Sequence, residues 1–156
     1  SGDGHVINIS SIFGIIGVPT QSAYNAAKFA VRGFTESLRE ELDIERSCVS
    51  ATCVHPGGVK TNIARNSRMG DMGNIAPGSK EEITELFDRI ARSTPEQAAN
   101  AILHAVRKNR RRVLIGNDAT ILDAGQRLMP AGYQRPLEAL FRMRQGRQKM
   151  SSQSSQ

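Results

Sequence analysis

The order of hydrophobic and polar positions divides the chain into short β-branched runs and longer segments of helical period. Residues 6–10 (Val-Ile-Asn-Ile-Ser) and 48–54 (Cys-Val-Ser-Ala-Thr-Cys-Val) are two such runs. Runs of this length and composition predict buried strands of a parallel sheet. Residues 22–45, between them, repeat apolar side chains near helical period, which predicts a long helix. Strand, helix and strand form a βαβ unit, which crosses over right-handed.

The helix predicted for residues 22–45 has an apolar side and a wet side. Glu36, with Arg39 or Glu40, marks the wet side. The apolar positions near helical period are Phe29, Val31, Phe34, Leu38 and Leu42. We therefore expect these apolar side chains to pack against the sheet.

The second half of the chain predicts helices around one further strand. A helix is predicted over residues 80–92, and Thr94, Pro95 and Gln97 supply the N-cap, first-turn proline and capping box of the next one. Residues 113–116 (Val-Leu-Ile-Gly) predict a short strand.

The last predicted elements are two helices and a tail. Asp118 is expected to cap a helix that ends near Leu128, where Pro130 follows. Residues 136–143 predict a short helix, and the polar residues 151–156 predict a disordered tail.

Composition favours a soluble protein of a reducing compartment, and we expect a cytoplasmic location. Hydrophobic residues make up 38% of the chain, and no apolar run approaches the roughly 18 residues of a membrane helix. Cys48 and Cys53 are an odd number of positions apart in one predicted strand, so we expect them on opposite faces and unbridged. The three histidines, His5, His55 and His104, lack zinc-like spacing, and no metal site is predicted.

The net charge of +6 is concentrated in the last third of the chain. Residues 1–103 hold 10 Lys and Arg against 12 Asp and Glu, whereas residues 104–156 hold 11 against 3. Basic side chains cluster in residues 107–112 and again at Arg142, Arg144, Arg147 and Lys149. A basic face can meet nucleic acid or an anionic membrane. Because no aromatic platform or nucleic-acid motif accompanies it, we favour a helix C-terminus and a solvated tail.

Tyr24 and Lys28 place a phenol and an ammonium four residues apart in the predicted long helix. At helical pitch such positions lie one above the other on the same face. A lysine so placed can stabilise a phenolate, and the phenol can then exchange a proton with an alcohol or carbonyl. Ser10 and Ser11 end the preceding strand, at the end where ligands bind in open α/β sheets.

Three motifs in this order and spacing resemble the short-chain dehydrogenase/reductase superfamily of the classical type. They are residues 9–11 (Ile-Ser-Ser), 24–31 (Tyr-Asn-Ala-Ala-Lys-Phe-Ala-Val) and 54–61 (Val-His-Pro-Gly-Gly-Val-Lys-Thr). The resemblance covers about the first 65 residues. It implies that residues 1–150 form the C-terminal half of a Rossmann-like, doubly wound parallel α/β sheet.

The resemblance also implies roles for single residues. Tyr24 looks like the catalytic acid/base, Lys28 like the residue that favours the tyrosinate and bonds the nicotinamide ribose, and Ser11 like the hydroxyl that bonds the reacting oxygen. Ser11 is preferred to Ser10 because the family's serine stands at this distance before its tyrosine. The cofactor-binding positions would be Tyr24, Lys28, Pro56, Gly57, Val59 and Thr61.

The chain departs from the family's pattern at its start. Gly2 and Gly4 precede the first strand, but the third glycine of a dinucleotide fingerprint is replaced by Ile7. The residue that separates NAD from NADP is also missing. We therefore expect the C-terminal part of an enzyme that uses NAD or NADP, without the N-terminal dinucleotide-binding half.

The expected activity is hydride transfer between NAD(P) and a small alcohol or carbonyl substrate. In the family's terms residues 61–79 are a mobile substrate loop, and its apolar composition favours a lipophilic substrate. The family often dimerises through the helices that correspond to residues 22–45 and 80–106, which predicts a homo-oligomer. Two alternatives stay open: an inactive truncated fragment or partner-binding remnant, and a basic C-terminal half that contacts a membrane surface or nucleic acid.

Overall fold

A computed structural model describes residues 2–66, 84–85, 87–89 and 91–153 of the chain. Its strands are β1 (Gly4–Ile9), β2 (Val49–Pro56) and β3 (Arg112–Ile115). A 3₁₀ turn covers Ile12–Gly14, and the helices are α1 (Ser22–Ile44), α2 (Ile63–Asn66), α3 (Pro95–Arg107), α4 (Asn117–Leu128) and α5 (Gln134–Gln153).

The three strands form one parallel sheet in the order β1-β2-β3. The pairing runs from Gly4 opposite Val49 to Ile9 opposite Val54, and Pro56 at the end of β2 lies opposite Ile115. The α/β fold with a parallel sheet is therefore confirmed. All three strands end at the same edge of the sheet, and the loops that follow them meet there.

Several predicted elements have shifted bounds. The strand predicted from residue 48 begins at Val49 and extends to Pro56, and the last helix covers Gln134–Gln153 instead of residues 136–143. The capping box of α3 is confirmed, because Gln97 N donates to Thr94 Oγ1 and Thr94 N donates to Gln97 Oε1.

Two sequence predictions lie largely outside the described residues. They are the substrate loop over residues 61–79 and the helix over residues 80–92. Within them the structure describes residues 61–66, which include the short helix α2, and helical backbone at residues 84–85 and 87–89.

Strand β1 is not buried as its sequence predicts. Val6, Ile7 and Ile9 are 36%, 38% and 47% exposed. The physical reason is position: β1 pairs with β2 on one side only in the described sheet, and α1 packs mainly against β2. An apolar strand thus forms an open edge of this sheet.

The buried face of helix α1 is only partly the predicted one, since Val31, Leu38 and Leu42 are partly buried. Phe29 and Phe34 are exposed, whereas Asn25, Thr35 and Arg39 are buried. Buried polar groups need partners. The Arg39 guanidinium donates hydrogen bonds to the Asp43 carboxylate at 3.0 Å, the Ala51 carbonyl at 3.0 Å and Asn109 Oδ1 at 2.9 Å. The Arg39 side chain therefore ties α1 to β2 and to the turn after α3.

The core lies beneath the loop that follows β1. Its buried members are Ile12, Ile15, Ile16 and Ala119, with Leu114 and other partly buried residues packed around them. Gly14 permits close packing here, because a Cβ atom at that position would come within 2.7 Å of the Lys28 carbonyl oxygen. The loop that carries Ser10 and Ser11 is therefore held between α1 and α4.

Other described features bear on the sequence expectations. Cys48 is exposed and Cys53 is buried, and both thiols are free. None of the helices that the structure describes has the length and apolar character needed to cross a bilayer.

Candidate active site

The two serines at the end of β1 have different environments. Ser10 is buried, and its hydroxyl donates to the Lys28 carbonyl at 2.8 Å. Ser11 is only partly buried, and its Oγ accepts from Phe13 N at 3.1 Å as the N-cap of the 3₁₀ turn. Its hydroxyl proton is thus available to a ligand, while that of Ser10 is engaged. The geometry favours Ser11 as the substrate-binding hydroxyl.

Tyr24 and Lys28 lie on the first turns of α1, beside the Ser11 loop. Lys28 Nζ donates to the Ile9 carbonyl at 3.0 Å and lies 5.5 Å from the centre of the Tyr24 ring. An ammonium group has three donors, so two remain for a ligand. The Tyr24 side chain is exposed, and its hydroxyl has no hydrogen-bond partner in the part of the chain that the structure describes.

Phe13 connects the two hydroxyl-bearing residues, and the sequence does not reveal this. Its backbone N–H bonds Ser11 Oγ, and its ring meets the Tyr24 ring edge-on, with centroids 6.1 Å apart and planes at 88°. Edge-to-face pairs of this kind contribute about 0.5–1.5 kcal/mol beyond area burial. Phe13 therefore fixes the positions of Ser11 and Tyr24 relative to each other.

His55 supports the same loop from below. Its ring is fully buried at the end of β2, and Nδ1 donates to the Ser11 carbonyl at 3.1 Å. Burial lowers the pKa of His55, and nearby positive charge from Arg112 and Arg32 lowers it further, against the hydrogen bond to Ser11. The neutral ring thus leaves Nε2 as an acceptor without a partner among the described atoms. The sequence shows only an isolated histidine here.

The loop after β2 carries the predicted cofactor positions Pro56 and Gly57. Gly57 N donates to the Ile115 carbonyl at 2.9 Å, and Gly58 N donates to Asp118 Oδ2 at 2.7 Å. A Cβ atom on Gly57 would collide with the Asp118 carboxylate. Any larger residue at position 57 would displace that carboxylate.

Asp118 does not act as the predicted cap of α4. The N-cap is Gly116, whose φ of 95° is in the left-handed region that favours glycine. Asp118 stands in the first turn of the helix and turns its carboxylate to the Gly57–Gly58 backbone. Asp118 does lie at the start of α4, as the sequence predicts, but its carboxylate accepts from Gly58 N in the loop after β2.

Val59 and Thr61 lie farther along the same loop. Val59 forms a parallel bridge with Ser93, reinforced by Lys60 N donating to the Ser93 carbonyl at 2.9 Å. Thr61 is exposed, and its Oγ1 accepts a long hydrogen bond from Ile63 N at 3.5 Å. The Thr61 hydroxyl proton is not used in this bond and is available to a ligand.

These features fit a nicotinamide cofactor and a small oxygen-bearing substrate. The available donors of Ser11, Tyr24 and Lys28 stand at the carboxyl end of β1, and the glycine loop opens at the carboxyl end of β2. Ligands of open parallel sheets bind at this edge. Among the described residues, no three His, Cys, Asp or Glu side chains group as metal ligands.

A parallel α/β sheet with a serine, tyrosine and lysine at its carboxyl edge defines the Rossmann-like oxidoreductase class. Comparison with known proteins agrees, since residues 1–71 match the family model described as short chain dehydrogenase. SadH of Mycobacterium tuberculosis is 51% identical over 140 residues, which are 89% of this chain and 49% of SadH. The chain belongs to the short-chain dehydrogenase/reductase superfamily.

A more distant relative agrees with this family, and solved structures agree with the fold. Dehydrogenase/reductase SDR family member 7B of Xenopus tropicalis is 36% identical over 112 residues, 72% of this chain and 33% of that protein. A Burkholderia cenocepacia short chain dehydrogenase solved with NADP has a TM-score of 0.63 at 24% identity, over 86% of this chain and 47% of that one. A Burkholderia phymatum member solved with NAD has a TM-score of 0.58 at 24% identity, over 72% and 42%.

The chain thus spans about half the length of SadH and a third of the member 7B protein.

Proposed function

We propose that this chain carries the catalytic residues of an NAD(P)-dependent oxidoreductase that interconverts an alcohol and a ketone or aldehyde. The observation that carries the proposal is the convergence of three available donors at one sheet edge: the Ser11 hydroxyl, the Tyr24 phenol and two N–H groups of Lys28. The bond of the Ser10 hydroxyl to the Lys28 carbonyl supports Ser11 over Ser10 for this role.

In reduction, the Ser11 hydroxyl would hold the carbonyl oxygen and Tyr24 would give its proton to that oxygen. In oxidation the two residues act in reverse, and Tyr24 accepts the proton. Lys28, over the phenol ring, would favour the tyrosinate and bond the ribose hydroxyls with its remaining donors. NAD or NADP, when bound, supplies or accepts the hydride. Pro56, Gly57, Val59 and Thr61 would border the nicotinamide.

The comparisons support the choice of cofactor and of reaction class. Two structural neighbours were solved with NAD and with NADP, and the relatives carry oxidoreductase or dehydrogenase names. We propose a small alcohol or carbonyl substrate of lipophilic character, because residues 61–79 combine apolar side chains with glycines. The free thiols of Cys48 and Cys53 support a reducing compartment such as the cytoplasm.

The first experiment is titration of the chain with NADH and NADPH, followed by nicotinamide fluorescence. Saturable binding to one or both supports the cofactor assignment. A folded protein, verified by circular dichroism, that binds neither would mean that the chain holds the catalytic residues without the cofactor site, which is the truncated-fragment alternative.

The second experiment measures turnover of a panel of alcohols and ketones by site variants of a complete enzyme built on this half. Tyr24→Phe should lower turnover at least about a hundredfold, as loss of a general acid/base does. Ser11→Ala should also lower turnover strongly, whereas Ser10→Ala is the matched control and should act mainly through stability. Near-normal turnover in Tyr24→Phe would refute the mechanism.

Exposed apolar side chains favour a second role, association with a further polypeptide. Val6, Ile7 and Ile9 leave the β1 edge apolar, and Phe29 and Phe34 are exposed on α1. Large exposed apolar groups mark interaction surfaces. We propose a homo-oligomer through α1, which sedimentation equilibrium tests: Phe34→Ser should shift the chain toward monomer, and an unchanged mass would oppose this assignment.

A further inference from the structure

A cavity that is open to solvent lies between α3, β3 and α4 and has a volume of about 440 Å³. Its apolar lining comes from Ala101, Ala105, Val113 and Leu114. Sites for small molecules in proteins have volumes of this order and are mostly apolar with a few placed polar groups. The cavity is therefore large enough for a ligand with an aliphatic portion.

The polar groups at this cavity are mainly cationic. His104 lies on it together with Arg110, Arg112 and Arg127, and Asp123 is its one acidic lining residue. Arg110 and Arg112 belong to the basic cluster of residues 107–112, which the sequence favoured as a helix C-terminus. The structure instead puts these two arginines beside an apolar hollow.

The single carboxylate at the cavity is already engaged. Asp123 is buried and pairs with Arg112 through one oxygen and with Arg127, at 2.9 Å, through the other. Burial opposes its ionisation, but the hydrogen bonds and charges of Arg127 and Arg112 outweigh burial and lower the pKa of Asp123. One negative charge thus faces three arginines, which leaves a surplus of about two positive charges.

Part of the arginines' hydrogen-bonding capacity is unused within the described chain. Arg112 Nε is buried and has no partner there. A buried N–H without an acceptor is unfavourable, so an acceptor that reached it would remove that cost. The guanidinium of Arg110 likewise has no ion pair among the described residues, and guanidinium groups match carboxylate and phosphate oxygens bidentately.

This cavity is separate from the proposed active site. Arg112 begins β3 opposite Cys53, whereas Pro56, at the active-site loop, lies opposite Ile115. Arg112 and Ile115 are three residues apart along β3, which corresponds to about 10 Å. Asp123 and Arg127 lie on the second half of α4, away from Asp118 in its first turn. A ligand here would not occupy the cofactor position.

We propose that this cavity binds an amphipathic anion: a carboxylate or phosphate monoester that carries a short aliphatic chain. The anionic group would bond Arg110, Arg112 and Arg127, and the chain would cover Ala101, Ala105, Val113 and Leu114. Neither a purely ionic nor a purely apolar ligand would use both parts of the lining.

The test is isothermal titration of the full chain with hexanoate, hexyl phosphate and, as the uncharged control, 1-hexanol. At least one of the two anions should bind saturably, and 1-hexanol at least about tenfold more weakly. The order of the two anions tells a carboxylate site from a phosphate site. Excess NADH should not displace the anion, which separates this site from the cofactor site.

Variants locate the binding. Arg110→Gln and Arg127→Gln should each lower the affinity for the anion by about tenfold. Arg142→Gln removes an exposed charge on α5 and should leave the affinity unchanged. Arg110 has no ion pair within the described part of the chain, so its variant is expected to fold normally. The proposal is overturned if folded protein shows no saturable binding, if 1-hexanol binds equally well, or if Arg110→Gln and Arg127→Gln bind like the parent chain.

Discussion

Removing the Asp118 carboxylate should loosen the glycine loop at the candidate active site. Gly58 N donates to Asp118 Oδ2 at 2.7 Å, and the same carboxylate packs against Gly57. A hydrogen bond to a charged acceptor contributes about 1.5–3 kcal/mol. Asp118 is exposed, so water competes for the bond and the lower end applies. A loss of about 1.4 kcal/mol corresponds to about a tenfold increase in local opening.

The assay is native-state hydrogen exchange of single amides by NMR. In Asp118→Ala, the protection of the Gly58 amide should fall about tenfold. Asp118→Asn keeps an acceptor oxygen and should give an intermediate value. The Gly57 amide is an internal reference, because it donates to the Ile115 carbonyl at 2.9 Å and not to Asp118.

Global destabilisation has to be separated from this local effect. Asp118 stands in the first turn of α4, where an acidic side chain contributes about 0.3–1 kcal/mol through the helix dipole. A global effect would lower the protection of all slowly exchanging amides together, whereas a local one lowers Gly58 selectively. Asn117→Ala, on the same exposed turn, is the matched control. Unchanged Gly58 protection in Asp118→Ala would refute the role assigned to the carboxylate.

Two further predictions concern stability. The pKa of His55 is lowered by burial from its ordinary 6.5, so its stabilising contribution is complete above about pH 6.5 and is lost as the pH falls through the lowered value. The free energy of unfolding should therefore decrease from pH 7 to pH 5, less steeply in His55→Gln, and equal slopes by urea denaturation would exclude His55 as the cause. Thr94→Ala removes the capping box of α3 and should cost about 1 kcal/mol, while Thr94→Ser should cost little; thermal unfolding measures both, and equal losses would contradict the cap.

Local sequence signals predict the helices and strands well where hydrogen bonding within a few residues determines the structure. Thr94, Pro95 and Gln97 start α3 as their spacing requires, because each satisfies or removes a free amide within one turn. The parallel strands likewise follow from their β-branched runs. Strand burial does not follow, because Val6 and Ile7 in β1 become buried only if another layer or strand covers them.

The buried face of α1 was predicted only in part, for a similar reason. Apolar periodicity assigns Phe29 and Phe34 to the core, but α1 buries Thr35 and Arg39 against β2 instead. Arg39 can be buried because three acceptors, from α1, β2 and the turn after α3, surround its guanidinium. Those acceptors are up to 70 residues away in the sequence, so periodicity within one helix cannot reveal them.

The candidate site shows the same division between local and long-range information. Motif spacing predicts Ser11, Tyr24 and Lys28 as site residues, and the structure shows that Ser10 differs from Ser11 because its hydroxyl donates to the Lys28 carbonyl. The contacts of His55 and Asp118 escape sequence analysis because each side chain bonds a backbone group of another segment, and Phe13 escapes because its ring meets Tyr24 on a different element.

These three supporting contacts also bear on whether the chain is a catalyst or a remnant. A remnant needs only a stable core, and Ile12, Ile15, Ile16 and Ala119 provide that without the Asp118 carboxylate or the His55 bond to Ser11. Burying a polar group without a hydrogen-bond partner costs stability, and proteins accept such costs mainly at functional sites. His55 keeps an unpartnered Nε2 fully buried directly behind Ser11. An unpartnered buried group beside Ser11 is a local cost of the kind that functional sites carry, which supports the proposed catalytic role of this loop.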